Sequence, residues 1–188
     1  ILLPISMTIS SLQIIFSRQK NKKFIRDFNI YCIPFLIISI FLILNFDDHV
    51  NFNLFISLII LIVLVINLFK NLINFNSIST KIFLIIIGVV HGLSNLGGSL
   101  LSFLAVQLNK NDKITSRFFI SYGYFMMAFF QYLVLTILKE NNLNINYIFY
   151  IFLAIAIYFP IQKLFKKIKN RNFNNFIYFF AFIYALYI

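Results

Sequence analysis

Apolar positions in this chain gather into seven runs, approximately 1–17, 30–46, 53–69, 82–108, 118–138, 147–165 and 176–188, divided by short polar stretches. An α-helix crosses the roughly 30 Å hydrocarbon core of a bilayer in about 20 residues, and flanking Lys or Arg can snorkel outward to serve a shorter run. The stretch from Leu58 to Ile66 contains no polar residue, whereas a barrel strand would alternate apolar and polar side chains over about ten positions. Many of these residues are β-branched, which suits a lipid-facing helix whose backbone bonds only to itself. The pattern predicts an all-α polytopic membrane protein. Connections such as Arg18 to Asn29 and Lys166 to Asn175 are too short to separate a pair of domains, so residues 1–188 are expected to form one transmembrane domain. Ile1 already lies inside the first run, and an N-terminal helix upstream of it is expected.

Composition agrees with the pattern and changes how the charge is read. The chain is 61% hydrophobic and only 11% charged, with a mean hydropathy of +0.92, against about 25% charged residues in a soluble domain. Sixteen Lys and Arg oppose five Asp and Glu, for a net charge of +11. In a soluble chain that excess would suggest a nucleic acid. Here the cations lie between the apolar runs, where they fix orientation and meet anionic lipid headgroups, so the expected partners are membrane lipids and not nucleic acid. The expected location is the cell (cytoplasmic) membrane, as a multi-pass protein. Cys32 is the single cysteine, which excludes an intrachain disulfide and a Cys-based metal site.

Segment 82–108 departs from the others. At 27 residues it exceeds one crossing, and His91-Gly92-Leu93-Ser94-Asn95-Leu96-Gly97-Gly98-Ser99 interrupts it; Gly88, Gly92, Gly97 and Gly98 are four of the chain's five glycines. It either crosses once as a tilted helix or forms two half-helices of about 20 Å each that enter and leave on one side. Cations in short loops collect on the cytoplasmic side, so charge discriminates. If every run crosses once, each side receives 8 cations, and no bias results. If 82–108 is re-entrant, 15 lie inside and only Lys139 lies outside, together with Asp47, Asp48 and Glu140. The expected architecture is therefore about six transmembrane helices plus a Gly-rich broken or re-entrant helical hairpin at 82–108.

A broken helix at membrane depth exposes backbone amides and carbonyls, which is tolerated only where they are buried in protein or line a cavity. The N-terminus of a half-helix also offers free N–H groups and a positive dipole end to an anion. The second half-helix is expected to begin near Asn95 to Ser99, with Gly97 and Gly98 allowing a ligand close to the backbone. Expected substrate-binding positions are Gly92, Ser94, Asn95, Gly97, Gly98, Ser99, His91 and Arg117. The competing reading makes the glycines and Ser99 a packing seam between helices.

The run Gly88-Val89-Val90-His91-Gly92-Leu93-Ser94-Asn95-Leu96-Gly97-Gly98-Ser99-Leu100-Leu101, followed by Ser116-Arg117-Phe118, resembles the second-half motif of the TauE/SafE sulfite-exporter-like transporters. Leu2-Leu3-Pro4 with Gln13 is similar to the end of a helix in that family's first half. The resemblance implies a transporter, exporter or permease of a small anion such as sulfite, an organosulfonate or a carboxylate. It also implies two related halves, of which the first motif would lie upstream of Ile1. The alternative is a non-transporting membrane scaffold or assembly subunit.

Other chemistry finds little support. None of the acidic residues lies inside an apolar run, which leaves no paired carboxylates for acid–base work and no acidic metal site. An intramembrane serine protease would need a second histidine opposite Ser94, but His49 sits in a loop beside Asp48. Neither enzyme activity nor a cofactor is expected. His91 can exchange a proton near neutrality or simply bond a carbonyl. Gln131, Tyr122, Tyr124 and Ser121 are read as interhelical bonding groups, and Pro34 and Pro160 as kinks.

Overall fold

The computed structural model describes residues 2–17, 20–46, 77–109, 112–139 and 146–187; the expected span 53–69 and the loop positions Asp47, Asp48 and His49 lie outside the described residues. Among these the regular structure is entirely helical. The helices are α1 (Leu2–Ile15), α2 (Lys22–Tyr31), α3 (Ile33–Phe46), α4 (Ser77–Ser94), α5 (Gly97–Leu108), α6 (Lys113–Lys139), α7 (Asn146–Lys167) and α8 (Asn170–Tyr187).

Several polar stretches expected to be loops are helical. Most of Arg18–Asn29 belongs to α2, whose start is capped by Asn21: its Oδ1 accepts the N–H of Phe24 at 3.0 Å. This helix buries Phe24, Asp27 and Phe28 and turns its Lys and Arg outward, so its 3.6-residue period is concealed by a composition that looks like a loop. Through Cys32, whose carbonyl accepts Leu36 N–H at 3.0 Å, α2 runs on into α3, with Pro34 in the first turn, where its missing N–H is tolerated. Likewise Lys166–Asn175 is helical except at Ile168 and Lys169. Pro160 lies inside α7.

Among the described residues three helical stretches are long and apolar enough to cross a membrane: Lys22–Asn45, Lys113–Leu138 and Ile148–Lys167. The stretches Pro4–Ile15, Ile78–Ser94 and Gly97–Leu108 are apolar but shorter. Large exposed apolar side chains, such as Phe149, Phe152 and Phe159 on α7 and Phe176, Phe179 and Phe180 on α8, would be a liability in water and are at home against lipid.

The long helix α6 is the centre of the packing, in contact with α1, α3, α5 and α8. Phe24 stacks on Phe119 at 3.8 Å between ring centroids, Tyr122 Oη donates to Asn29 Oδ1 at 2.9 Å, and Ser121 Oγ donates to Gln13 Oε1. These contacts bring the end of α1 and all of α2 beside the first turns of α6. The Lys113 ammonium donates to the carbonyls of Phe165 (3.0 Å), Lys166 (3.5 Å) and Ile168 at the end of α7. Lys81 at the start of α4 lies 5.1 Å from the Tyr31 ring centroid. Apart from Lys139 at the far end of α6, the described cations therefore cluster at one end of the bundle.

From that end α4 rises alongside α3, and α5 turns back along α4, with Phe83 and Phe103 rings 6.0 Å apart. The start of α6 is tied to the last turn of α5: Ser116 Oγ donates to Ala105 O at 3.3 Å and Asp112 O at 3.0 Å.

Candidate functional site

Local chemistry makes the break between α4 and α5. Ser94 Oγ donates to Val90 O at 2.8 Å and accepts Leu96 N–H at 3.3 Å, drawing the chain out of the helix. Asn95 has φ 65°, and its N–H bonds His91 O at 2.8 Å. A left-handed residue closing the last turn in this way is usually Gly and otherwise Asn, whose short polar side chain tolerates the region. Leu96, before α5, provides no side-chain cap, so the N–H groups of Gly97 and Gly98 in the first turn lack intrahelical acceptors.

The glycines divide by what they touch. A Cβ on Gly92 would lie 2.6 Å from Leu36 O and 2.6 Å from Ser39 Cβ, so Gly92 lets α4 pack against α3. Gly88 does the same one turn earlier against the Cys32 carbonyl. A Cβ on Gly97 would meet His91 Cβ and Ile87 O, each at 2.6 Å, which allows α5 to fold onto α4. Gly98 makes room for the Tyr124 ring of α6, whose Cζ and Cε1 would lie 2.5 and 2.6 Å from an added Cβ.

A cavity of about 480 Å³ opens at the break, between α1, α4, α5, α6 and α8. Its polar lining comes from Ser6, His91, Asn95, Ser99, Ser102, Tyr124 and Gln131, and its apolar lining includes Ile5, Leu96, Ile177 and Phe180. Among the described residues no Asp, Glu, Lys or Arg lines it. Ser99 Oγ donates to Leu96 O at 3.0 Å and Ser102 Oγ to Gly98 O at 2.9 Å, so both hydroxyl protons are committed to α5's own backbone. Donors for an anion are instead the side-chain amides of Asn95 and Gln131 and the first backbone N–H groups of α5, whose positive dipole end they share. His91 is 5% exposed, and its Nδ1 has no hydrogen-bond partner; the buried Oε1 of Gln131, the side chain beside it, also has none. Among the described residues no three His, Cys, Asp or Glu come together to hold a metal ion.

Of the positions expected from sequence, His91, Asn95, Gly98 and Ser99 meet at this cavity. Gly92 faces α3, Gly97 faces α4, and Ser94 shapes the turn. Arg117 is elsewhere, with its guanidinium 4.3 Å from the Phe165 ring centroid of α7. Ser6, Ser102, Tyr124 and Gln131 join the lining without being expected there from sequence. Tyr124, Ala128 and Gln131 follow one another at i, i+4 and i+7, the signature of one helix face, and that spacing could have joined them. Nothing in the order of residues indicates that this face of α6 meets the α4–α5 break.

No family model matches the sequence, and no curated protein and no solved structure matches it.

Proposed function

We propose that this chain is a multi-pass transporter of the cell membrane that moves a small anion, such as sulfite, an organosulfonate or a carboxylate, through the cavity at the α4–α5 break. One observation carries the reading. A helix N-terminus without a side-chain cap, the amides of Asn95 and Gln131 and an unpartnered buried His91 Nδ1 converge on a cavity with no carboxylate among its described lining residues. Such a cavity at membrane depth leaves polar groups unsatisfied unless water or a ligand enters. The motif resemblance to TauE/SafE transporters supports the same class of substrate and belongs to this proposal.

In this reading α4 and α5 form a re-entrant hairpin and the remaining runs make about six crossings. The gathering of described cations at one end of the bundle, with Lys139 alone at the other, supports that topology through the positive-inside rule. Cysteines introduced at Asn111 and Asn142 test it in cells. Labelling of Asn111→Cys from the cytoplasm and of Asn142→Cys from outside is expected; the reverse pattern overturns the hairpin.

Gly88, Gly92 and Gly97 lie in helix contacts and favour, for those three positions, the packing-seam reading of a scaffold. Leucine at Gly97 would break the α4–α5 contact and so confound folding with function. Ser102→Leu fills the cavity from α5 and removes only a hydroxyl bonded within its own helix. Full-length protein in liposomes should take up radiolabelled sulfite or methanesulfonate with saturation, and Ser102→Leu should abolish uptake. Absence of flux from folded wild-type protein would instead favour the scaffold.

A further inference from the structure

The cavity has an electrostatic difficulty that its lining does not solve. An anion moved from water into a membrane-embedded site loses solvation, and a few neutral amides and a helix dipole offset only a fraction of that loss. Arg117 and Lys113, the obvious counter-charges on α6, are engaged at the end of α7, over Phe165 and on its terminal carbonyls. Among the described lining residues His91 is the side chain that can become positively charged, by taking up a proton.

The surroundings of His91 suit a proton that comes and goes. Gln131 and Tyr124 face the cavity from α6, Ser6 from α1, Ser99 and Ser102 from α5, and Ile177 and Phe180 from α8. On the opposite side of α4, Leu36, Ser39 and Ile40 of α3 pack at Gly92. Tyr124 is the other titratable group among the described lining residues, and its neutral phenol carries no charge. No fixed charge on a described lining residue therefore holds the imidazole in either state. Its Nδ1 is free to take a proton, and the nearby Gln131 Oε1 is free to accept a hydrogen bond from it.

We infer that each anion entering the cavity is accompanied by one proton held on His91, so that a monovalent anion and a proton cross as an electroneutral pair. The inference rests on the reading of the cavity as an anion site. The proton comes from water on the loading side, adds to the imidazole lone pair and returns to water on the other side, with no bond to the anion made or broken. Anion and imidazolium stabilise each other, since opposite charges at close range in a low-dielectric site favour both charged forms. Each alone is disfavoured there, which couples their movements.

Methanesulfonate is the probe of choice, because it is the anion of a strong acid and any proton that moves with it must be carried by the protein. Full-length protein in liposomes containing a trapped pH dye is given external methanesulfonate, with the membrane potential clamped by valinomycin and potassium. The expected result is one proton taken up per anion, accumulation of about tenfold per unit of inward acid gradient, and no response to the potential. His91→Gln, shown by melting to be folded, should abolish the accompanying proton movement. Flux that is electrogenic and indifferent to the pH gradient overturns this inference and leaves the anion site standing, as does one proton per anion in His91→Gln. Absence of flux from folded wild-type protein overturns both.

Discussion

Replacing Gly92 by Ala tests how closely α3 and α4 approach. The added Cβ would lie 2.6 Å from Leu36 O and 2.6 Å from Ser39 Cβ, nearly 1 Å inside the roughly 3.5 Å at which non-bonded carbon contacts are comfortable. Neither neighbour can rotate away, because one is a backbone carbonyl and the other a Cβ, so the helices must move apart. Overpacking costs about 1–3 kcal/mol, and a collision that neither neighbour can relieve lies in the upper part of that range, about 2–3 kcal/mol. Ala is better than Gly inside a helix by about 1 kcal/mol, which offsets some of that. The net loss is about 1–2 kcal/mol, and at about 2–4 °C per kcal/mol for a chain of this size the melting temperature should fall by about 2–8 °C. Cys32 provides the assay: as the single cysteine, wholly buried, it reacts with a thiol-specific fluorophore only when the bundle opens. Ser39→Gly in the Gly92→Ala background removes one of the two collisions and should recover some of the loss, a coupling of about 1 kcal/mol in a double-mutant cycle. A Gly92→Ala variant that melts at or above the wild-type temperature would refute the close approach of the two backbones.

Other substitutions probe the ends of the helices and the cavity wall. Asp112 caps α6, its Oδ1 accepting the N–H groups of Ile114 at 2.9 Å and Thr115 at 3.1 Å, so Asp112→Ala should lower stability by about 1 kcal/mol at neutral pH. The Thr115 hydroxyl and these N–H groups hold the Asp112 carboxyl below the usual carboxylate range. Its contribution is thus complete above the unfolded value of about 3.9 and is lost as pH falls through the lower folded value, which thermal melts of both proteins across pH 7 to 3 would reveal as a converging difference. Lys113→Met removes the ammonium from the last carbonyls of α7 and should cost up to about 1 kcal/mol, reduced by high salt; an unchanged melt at low salt would count against that cap. Gly98→Ala presses on the Tyr124 ring and should weaken anion binding about fivefold, equivalent to about 1 kcal/mol, as read from KM for flux.

The helical class was legible in the sequence because lipid-facing segments need no polar face and therefore announce themselves by length alone. The amphipathic helix α2 was not, since Lys22, Lys23, Arg26 and Asp27 resemble a loop until Phe24 and Phe28 are seen to pack beneath them. The position of the helix break was legible because Asn95, Gly97 and Gly98 are residues that a left-handed turn and a close approach select. What the sequence could not supply was the other half of the cavity wall. Gln131 and Tyr124 lie more than a loop away in the chain, and only the packing of α6 across α5 brings them opposite His91. The division of the glycines into those touching α3, α4 and α6 is invisible in the motif for the same reason, because contact partners are a property of the fold.

Occupation of the α4–α5 break by an anion is the central claim, and substrate protection tests it most directly. Ser99→Cys places a thiol at the cavity while buried Cys32 stays unreactive in the folded protein. With the full-length variant in liposomes, alkylation of that thiol by a small neutral maleimide should be slowed saturably by the same anion concentrations that half-saturate flux. An alkylation rate unchanged by anion at concentrations that saturate flux contradicts the claim and moves the site elsewhere.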